Sequence, residues 1–132
     1  MDKEKYIWMD GELTPWDDAK VHVLTHTLHY GNGAIEGTKA YKTVDGRCAI
    51  FKLNEHTQRL LNSSKMTLMD VPYTLEELNA AQVKLLQENE LFDGAYIRPL
   101  VYLGYGVMGL YHKDAPVHVS ISAWKWGAYL GE

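Results

Sequence analysis

Short stretches of alternating apolar and polar residues predict two β-hairpins in the first part of the chain. The first hairpin spans residues 6–14 and turns at Asp10-Gly11, a dipeptide that favours two-residue turns. The second hairpin spans residues 38–52 and turns within residues 44–47. The four predicted strands are residues 6–9, 12–14, 38–43 and 48–52. Hairpins of this kind place neighbouring strands in antiparallel order.

Leucine-rich stripes at helical spacing predict two helices in the middle of the chain. One helix is predicted from Asn54, as its N-cap, to Lys65. The other begins after Thr74, which forms a capping-box pattern with Glu77, and runs to Asn89. The apolar positions of the two stripes are Leu53, Leu60, Leu61 and Met66, then Leu75, Leu78, Leu85 and Leu86. Each helix therefore has one apolar face available for packing.

Two longer apolar stretches follow the helices. Residues 96–102 and 117–123 are rich in β-branched and aromatic residues, which predicts strands, and a glycine-rich loop at residues 104–109 lies between them. Two hairpins, two helices and two further strands together predict an α+β fold. In that fold the two helices pack on a mainly antiparallel sheet.

The composition is typical of one globular domain. The chain has 132 residues, of which 46% are hydrophobic, so it is long enough to bury a core. Its net charge of −4 argues against a general nucleic-acid-binding role. Cys48 is the single cysteine, and no apolar run is long enough to cross a membrane. We therefore expect a soluble protein of the cytoplasm, where thiols stay reduced.

Three histidines, His22, His26 and His29, have a spacing that could align imidazoles on a helix and bind zinc. The neighbouring residues favour extended structure, however, and no nearby glutamate or cysteine completes a ligand set. We therefore expect structural histidines and no metal site. Cys48 has no adjacent base and lies in a predicted strand, which argues against a nucleophilic thiolate.

Two of the three arginines lie beside apolar residues, and the one in the predicted strand, Arg98, should be partly buried. Arg59 borders the apolar stripe of its helix, and Arg98 lies between Ile97 and Pro99 in a predicted strand. A buried guanidinium stays charged and needs an anion. That anion could be a carboxylate of the protein or an acidic group of a ligand, because the planar fork suits carboxylates and phosphates. The functional hypothesis requires that both arginines pair with acidic groups of a ligand and not with carboxylates of the protein.

Motifs spread over nearly the whole chain, from residue 6 to residue 132, resemble those of one enzyme family. They are Tyr6-Ile7-Trp8, Asp10-Gly11-Glu12, His29-Tyr30-Gly31 and Glu36-Gly37, then Phe51-Lys52-Leu53, His56, Arg59-Leu60 and Ser63-Ser64, and finally Tyr96-Ile97-Arg98-Pro99-Leu100 and Trp126-Gly127-Ala128-Tyr129-Leu130-Gly131. The first two groups resemble fold-type-IV pyridoxal-phosphate enzymes. The final group narrows the resemblance to branched-chain amino-acid aminotransferases, because D-amino-acid aminotransferases and aminodeoxychorismate lyases usually lack it.

The resemblance implies the fold and the chemistry of that family. It implies transamination between leucine, isoleucine or valine and 2-oxoglutarate. The cofactor, pyridoxal 5'-phosphate, is expected between a small N-terminal domain and a larger C-terminal domain. Arg59 matches the residue that grips the cofactor phosphate, and Tyr96 matches a residue near the substrate carboxylate.

The resemblance also implies a side-chain pocket that accepts two kinds of substrate. The residues that match the site for the side-chain carboxylate of glutamate are Arg98, Tyr30 and Tyr129. The residues that match the apolar pocket are Trp126, Ile35 and Leu110. Leu110 is expected to reach the site of a neighbouring subunit. Ile35 stands where an aromatic residue is common in the family, so the pocket should be wider or differently shaped.

Two components of such an enzyme are missing from the chain. The Schiff-base lysine and the carboxylate partner of the cofactor's pyridine nitrogen match positions beyond Glu132. We therefore expect residues 1–132 to be the N-terminal small domain, inactive alone and not retaining the cofactor. The apolar face left by the C-terminal domain should favour a homo-oligomer. The alternatives are a stand-alone anion- or ligand-binding module and a related fold-type-IV transaminase or lyase.

Overall fold

Residues 2–126 are described by the structure, a computed structural model of the chain. The strands are β1 (Tyr6–Met9), β2 (Glu12–Pro15), β3 (Gly33–Ile35), β4 (Thr38–Lys42), β5 (Cys48–Ile50), β6 (Gly94–Leu103) and β7 (Val117–Trp124). The helices are α1 (His26–Tyr30), α2 (Leu53–Met66) and α3 (Leu75–Glu88), and a short 3₁₀ turn covers Trp16–Asp18. The predicted α+β class is confirmed.

The seven strands form one antiparallel sheet in the order β2-β1-β7-β6-β4-β5, with β3 also paired to β6. The central strand β6 pairs with β7 along one edge. On its other edge, β4 pairs with residues 94–97 and β3 pairs with residues 100–102. The chain between β3 and β4 passes beside this gap, where the Glu36 N–H donates to the Pro99 carbonyl at 3.1 Å. This break between β3 and β4 positions the candidate site.

The core lies between one face of the sheet and helices α2 and α3. Its buried side chains include Trp8, Leu60, Leu78, Leu85, Ile97, Val101, Val119 and Ile121. Successive residues of a strand point to opposite faces of a sheet. Tyr96, Arg98 and Leu100 alternate with the core residues of β6 and therefore lie on the opposite face.

The two long helices begin differently. Helix α3 has the predicted capping box, in which the Thr74 hydroxyl accepts from the Glu77 N–H at 3.2 Å and the Glu77 carboxylate accepts from the Thr74 N–H at 2.8 Å. The prediction that Asn54 caps α2 is wrong. Lys52 occupies that position in the left-handed conformation, with φ 50° and ψ 44°. The Asn54 side chain instead accepts from Asn79 of α3 at 2.6 Å, so a bond between helices replaces the cap.

Other local features differ from the sequence-based expectation. Met66 was expected in the apolar stripe of α2 but is 84% exposed at the end of the helix. Strand β3 and helix α1 were not expected, because three and five residues are too short to show a period. Helix α1 ends at Gly31, whose φ of 72° is left-handed and favours glycine.

The three histidines do not share one helix. His26 and His29 lie in α1, whereas His22 precedes it. One nitrogen of each ring lies 2.8–3.0 Å from a backbone hydrogen-bonding atom. No group of three or more potential metal-ligating side chains occurs within residues 2–126. In the same range, no helix has the length and apolar character needed to cross a membrane.

Candidate functional site

A cleft of about 480 Å³ opens beside the break between β3 and β4. Its lining consists of Ile35, Glu36, Gly37, Lys39, Arg59, Tyr96 and Arg98. Three of these side chains are cationic and one is a carboxylate, so the cleft has a net positive charge. An anionic ligand is therefore favoured there.

Arg98 is partly buried, as the sequence predicts. Its Nη2 donates to the Tyr96 hydroxyl at 2.6 Å, and its guanidinium carbon lies 5.3 Å from the centre of the Tyr96 ring. Among the described residues, no carboxylate forms an ion pair with Arg98 and its buried Nε has no hydrogen-bond partner. A buried N–H without an acceptor is costly, so this guanidinium is suited to a ligand anion.

Arg59 differs from the expectation that only a ligand would pair with it. Its Nε donates to Glu36 Oε1 at 2.5 Å, and its Nη2 donates to Glu36 Oε2 at 2.8 Å. The His56 Nδ1 lies 2.9 Å from the same Oε2. The contact with Arg59 holds the pKa of the buried Glu36 carboxyl below its usual range. The expectation of an arginine without a protein carboxylate is therefore wrong for Arg59.

The ion pair with Glu36 leaves part of the Arg59 guanidinium available. The Arg59 side chain is 66% exposed. A guanidinium has five N–H groups, and Glu36 accepts from one on Nε and one on Nη2. Nη2 also lies 3.4 Å from His56 Nδ1, whereas the two N–H groups of Nη1 have no hydrogen-bond partner within residues 2–126 and can bind a second anion. A role of Arg59 in binding a cofactor phosphate stays a prediction that this geometry permits.

Tyr96 is the centre of an aromatic wall beside the cleft. Its ring centre lies 5.1 Å from that of Trp124 and 4.6 Å from that of Trp126. A Cβ atom at Gly37 would overlap the Tyr96 hydroxyl, so a glycine is needed for this close approach. The hydroxyl of Tyr96 is therefore held between Gly37 on one side and the guanidinium of Arg98 on the other.

The other predicted substrate residues occupy separate places. Ile35 lines the cleft, whereas Tyr30 and Leu110 do not. The Tyr30 hydroxyl accepts from the Gly109 N–H at 3.0 Å, and Leu110, the next residue, is 86% exposed. Tyr30 thus holds the loop that presents Leu110 to solvent. Tyr129 lies outside the described residues.

Sequence reasoning missed the contributions of Lys39, Glu36 and His56. Lys39 lies in β4 directly opposite Tyr96 in β6, which adds a third cation to the cleft. The spacing of His56 and Arg59, three residues apart on one helix, could have indicated that they share a face. No local pattern connects Glu36 with Arg59, which follows it by 23 residues.

The structure is an α+β domain with a cationic cleft beside the central strand of an antiparallel sheet. Residues 33–132 match the family model described as amino-transferase class IV. The chain belongs to this family.

Several branched-chain aminotransferases are similar in sequence and fold to nearly the whole of this chain. A branched-chain-amino-acid aminotransferase of Pseudomonas aeruginosa is 51% identical over 131 residues, which are 99% of this chain and 42% of that protein. The crystal structure of the Escherichia coli branched-chain amino acid aminotransferase has a TM-score of 0.90 at 40% identity, over 98% of this chain and 42% of that one. The T.th. branched-chain amino acid aminotransferase complexed with N-(5'-phosphopyridoxyl)-L-glutamate has a TM-score of 0.88 at 38% identity, over 96% of this chain and 42% of that one. The chain spans about 42% of the length of these relatives, and its fold matches their small domain.

Proposed function

We propose that the chain is the N-terminal small domain of a pyridoxal-phosphate-dependent branched-chain aminotransferase. The complete enzyme would transfer an amino group between leucine, isoleucine or valine and 2-oxoglutarate. The cationic cleft carries this proposal, because Arg98 has no protein counter-ion among residues 2–126. Arg59 also keeps a free donor edge, which is the pair of N–H groups on Nη1 that do not contact Glu36. The Schiff-base lysine would come from a C-terminal domain. We place the activity in the cytoplasm, because a reducing compartment suits a chain whose single cysteine is Cys48.

The donor groups of the cleft fit a phosphorylated cofactor and a carboxylate substrate. The T.th. relative has been solved with pyridoxamine 5'-phosphate as well as with the phosphopyridoxyl-glutamate compound. In this chain, Arg59 would hold the phosphate through the N–H groups that Glu36 does not use. The Tyr96 hydroxyl would orient the substrate carboxylate. When bound, the cofactor supplies an electron sink for the bond changes at the substrate α-carbon.

The side-chain pocket must accept an aliphatic group and a carboxylate in turn. Arg98, held against the Tyr96 hydroxyl, would bind the carboxylate of glutamate. Trp126 and Ile35 would supply apolar surface for the branched side chains. In the proposed homo-oligomer, the pocket is completed by Tyr30, Tyr129 and Leu110, with Leu110 contributed to the neighbouring subunit.

A domain exchange tests this function with the residues of this chain. The matching segment of the Pseudomonas aeruginosa relative is replaced by this chain, and the purified chimaera is assayed with 2-oxoglutarate and either L-leucine or D-alanine. We expect glutamate to form with L-leucine. Activity with D-alanine alone would support a D-amino-acid aminotransferase instead. A folded chimaera that binds pyridoxamine 5'-phosphate but transfers no amino group would support a stand-alone anion-binding module.

A further inference from the structure

We propose that Glu36 is a positioning residue, which fixes the guanidinium of Arg59 so that its free donor edge receives the phosphate of a ligand. This inference rests on the proposed function, in which Arg59 binds the cofactor phosphate. It gives a role to a carboxylate whose presence in an anion-binding cleft otherwise opposes binding, since its charge repels the ligand.

Glu36 is held far more firmly than the arginine it contacts. Its side chain is 5% exposed, against 66% for Arg59, and its backbone N–H is bonded to the Pro99 carbonyl on the central strand. Both carboxylate oxygens are engaged, Oε1 by Arg59 Nε and Oε2 by Arg59 Nη2 and His56 Nδ1. A carboxylate oxygen only accepts, so the His56 Nδ1 carries the proton in this contact. The rigid partner in the pair is therefore the glutamate.

The bidentate contact determines which N–H groups of Arg59 remain for a ligand. The Nε–H and one Nη2–H are directed to Glu36, whereas the two N–H groups of Nη1 are not. A long exposed side chain loses rotamer freedom when it binds a ligand, which weakens binding. The contact with Glu36 removes that freedom before the ligand arrives. Glu36 thus limits the motion of the Arg59 side chain and also sets the direction of its donor edge.

The negative charge of Glu36 and its contact with Arg59 predict opposite effects on anion binding when the carboxylate is removed. Lys39 and Arg98 line the same cleft, and neither forms an ion pair with a carboxylate within residues 2–126. With Arg59 they outnumber the charge of Glu36 three to one, so the cleft stays positive while the pair forms. If Glu36 acted only through its charge, removing it would tighten anion binding. If Glu36 positions Arg59, removing the carboxylate weakens anion binding.

Glu36→Gln separates these two effects in the 132-residue chain. The probe is pyridoxamine 5'-phosphate, which has the phosphate but no aldehyde to react with lysines, and its Kd is measured by NMR titration, which detects millimolar binding. We expect a Kd about three- to tenfold higher for Glu36→Gln, although the change removes a negative charge from the cleft. The matched control is Glu55→Gln on α2, which makes the same charge change outside the cleft and should bind at least as tightly as the unmodified chain. Unchanged or tighter binding by Glu36→Gln would overturn the proposal.

Arg59→Lys distinguishes failure of this inference from failure of the proposed function. Arg59→Lys is expected to weaken binding of pyridoxamine 5'-phosphate and to leave binding of unphosphorylated pyridoxamine unchanged. If it binds as tightly as the unmodified chain, the phosphate site itself is refuted. If the unmodified chain shows no binding, the same variants are compared in the chimaera described under the proposed function, where the same order of Kd values is expected and equal Kd values for Arg59→Lys and the unmodified chimaera refute the phosphate site. Weaker binding by Arg59→Lys together with unchanged binding by Glu36→Gln refutes only the positioning role.

A measurement on the unmodified chain covers the case in which Glu36→Gln does not fold. The Nε–H signal of Arg59 is followed by NMR before and after addition of pyridoxamine 5'-phosphate. We expect it to stay protected from exchange with solvent in both states, because Glu36 keeps its contact while the ligand binds. Loss of protection on ligand addition would show that the ligand displaces Glu36 and would overturn the proposal.

Discussion

Replacing Gly37 with alanine should displace Tyr96 and, through it, the guanidinium of Arg98. A Cβ atom at Gly37 would overlap the Tyr96 hydroxyl and lie 3.0 Å from its Cζ. The φ of Gly37 is outside the left-handed region, so the backbone itself accepts alanine. The ring has little room to move, because Tyr96 is buried against Trp124 and Trp126.

Two opposing effects determine the size of the change. Alanine restricts the unfolded chain more than glycine does, which stabilises the fold by about 0.4–1 kcal/mol. Overpacking against the buried ring of Tyr96 costs about 1–3 kcal/mol. We therefore expect Gly37→Ala to lower the free energy of unfolding by about 1–2 kcal/mol. The upper value applies if the shift also breaks the 2.6 Å hydrogen bond from Arg98 to the Tyr96 hydroxyl.

Urea denaturation of Gly37→Ala, Tyr96→Phe and the double variant measures this coupling. Tyr96→Phe removes the hydroxyl that the new Cβ would overlap. The double variant should therefore be more stable than the sum of the single changes predicts, by about 1 kcal/mol. Gly37→Ala with the stability of the unmodified chain, or strict additivity in the double variant, would refute the close approach of Gly37 and Tyr96.

Three further results are expected. Because Arg59 lowers the pKa of Glu36, the stability that Glu36 contributes is present above its ordinary pKa of about 4.5 and is lost as the pH falls through the lower folded value. In Glu36→Gln, the free energy of unfolding measured with urea should therefore depend less on pH in that acidic range. An unchanged pH profile would contradict this. Thr74→Ala should cost about 1 kcal/mol in the same assay, because it removes the N-cap of α3, and no loss would show that the capping box contributes little. After incubation with pyridoxal 5'-phosphate and borohydride reduction, mass spectrometry should find no single lysine fully labelled; stoichiometric labelling of Lys39 together with turnover would contradict a catalytic lysine in another domain.

Much of the fold is predictable because it depends on neighbouring residues. The turn at Asp10-Gly11 joins β1 and β2 as expected, since both residues adopt positive φ, 47° and 98°. The capping box at Thr74 likewise involves residues within one helical turn. The N-cap prediction for Asn54 fails because its side chain bonds to a different helix, a partner that local sequence does not specify.

The cationic residues of the candidate site could be predicted, but the carboxylate that pairs with one of them could not. Arg59 and Arg98 both line the cleft, as the family resemblance implied. Only the three-dimensional fold shows that Glu36 contacts Arg59, because the break between β3 and β4 beside the central strand brings the glutamate to α2. Tyr30 and Leu110 could be assigned to a substrate pocket only by resemblance, since within this chain they lie outside the cleft.

The proposed substrate selection depends on Arg98, the partly buried guanidinium that no carboxylate pairs with in residues 2–126. Arg98→Met in the chimaera keeps an unbranched side chain and removes the guanidinium with its charge. We expect kcat/KM for L-glutamate to fall by about thirtyfold or more, because the substrate carboxylate loses its partner, while kcat/KM for L-leucine changes by less than about threefold. Equal losses for the two substrates would show that Arg98 does not bind the side-chain carboxylate.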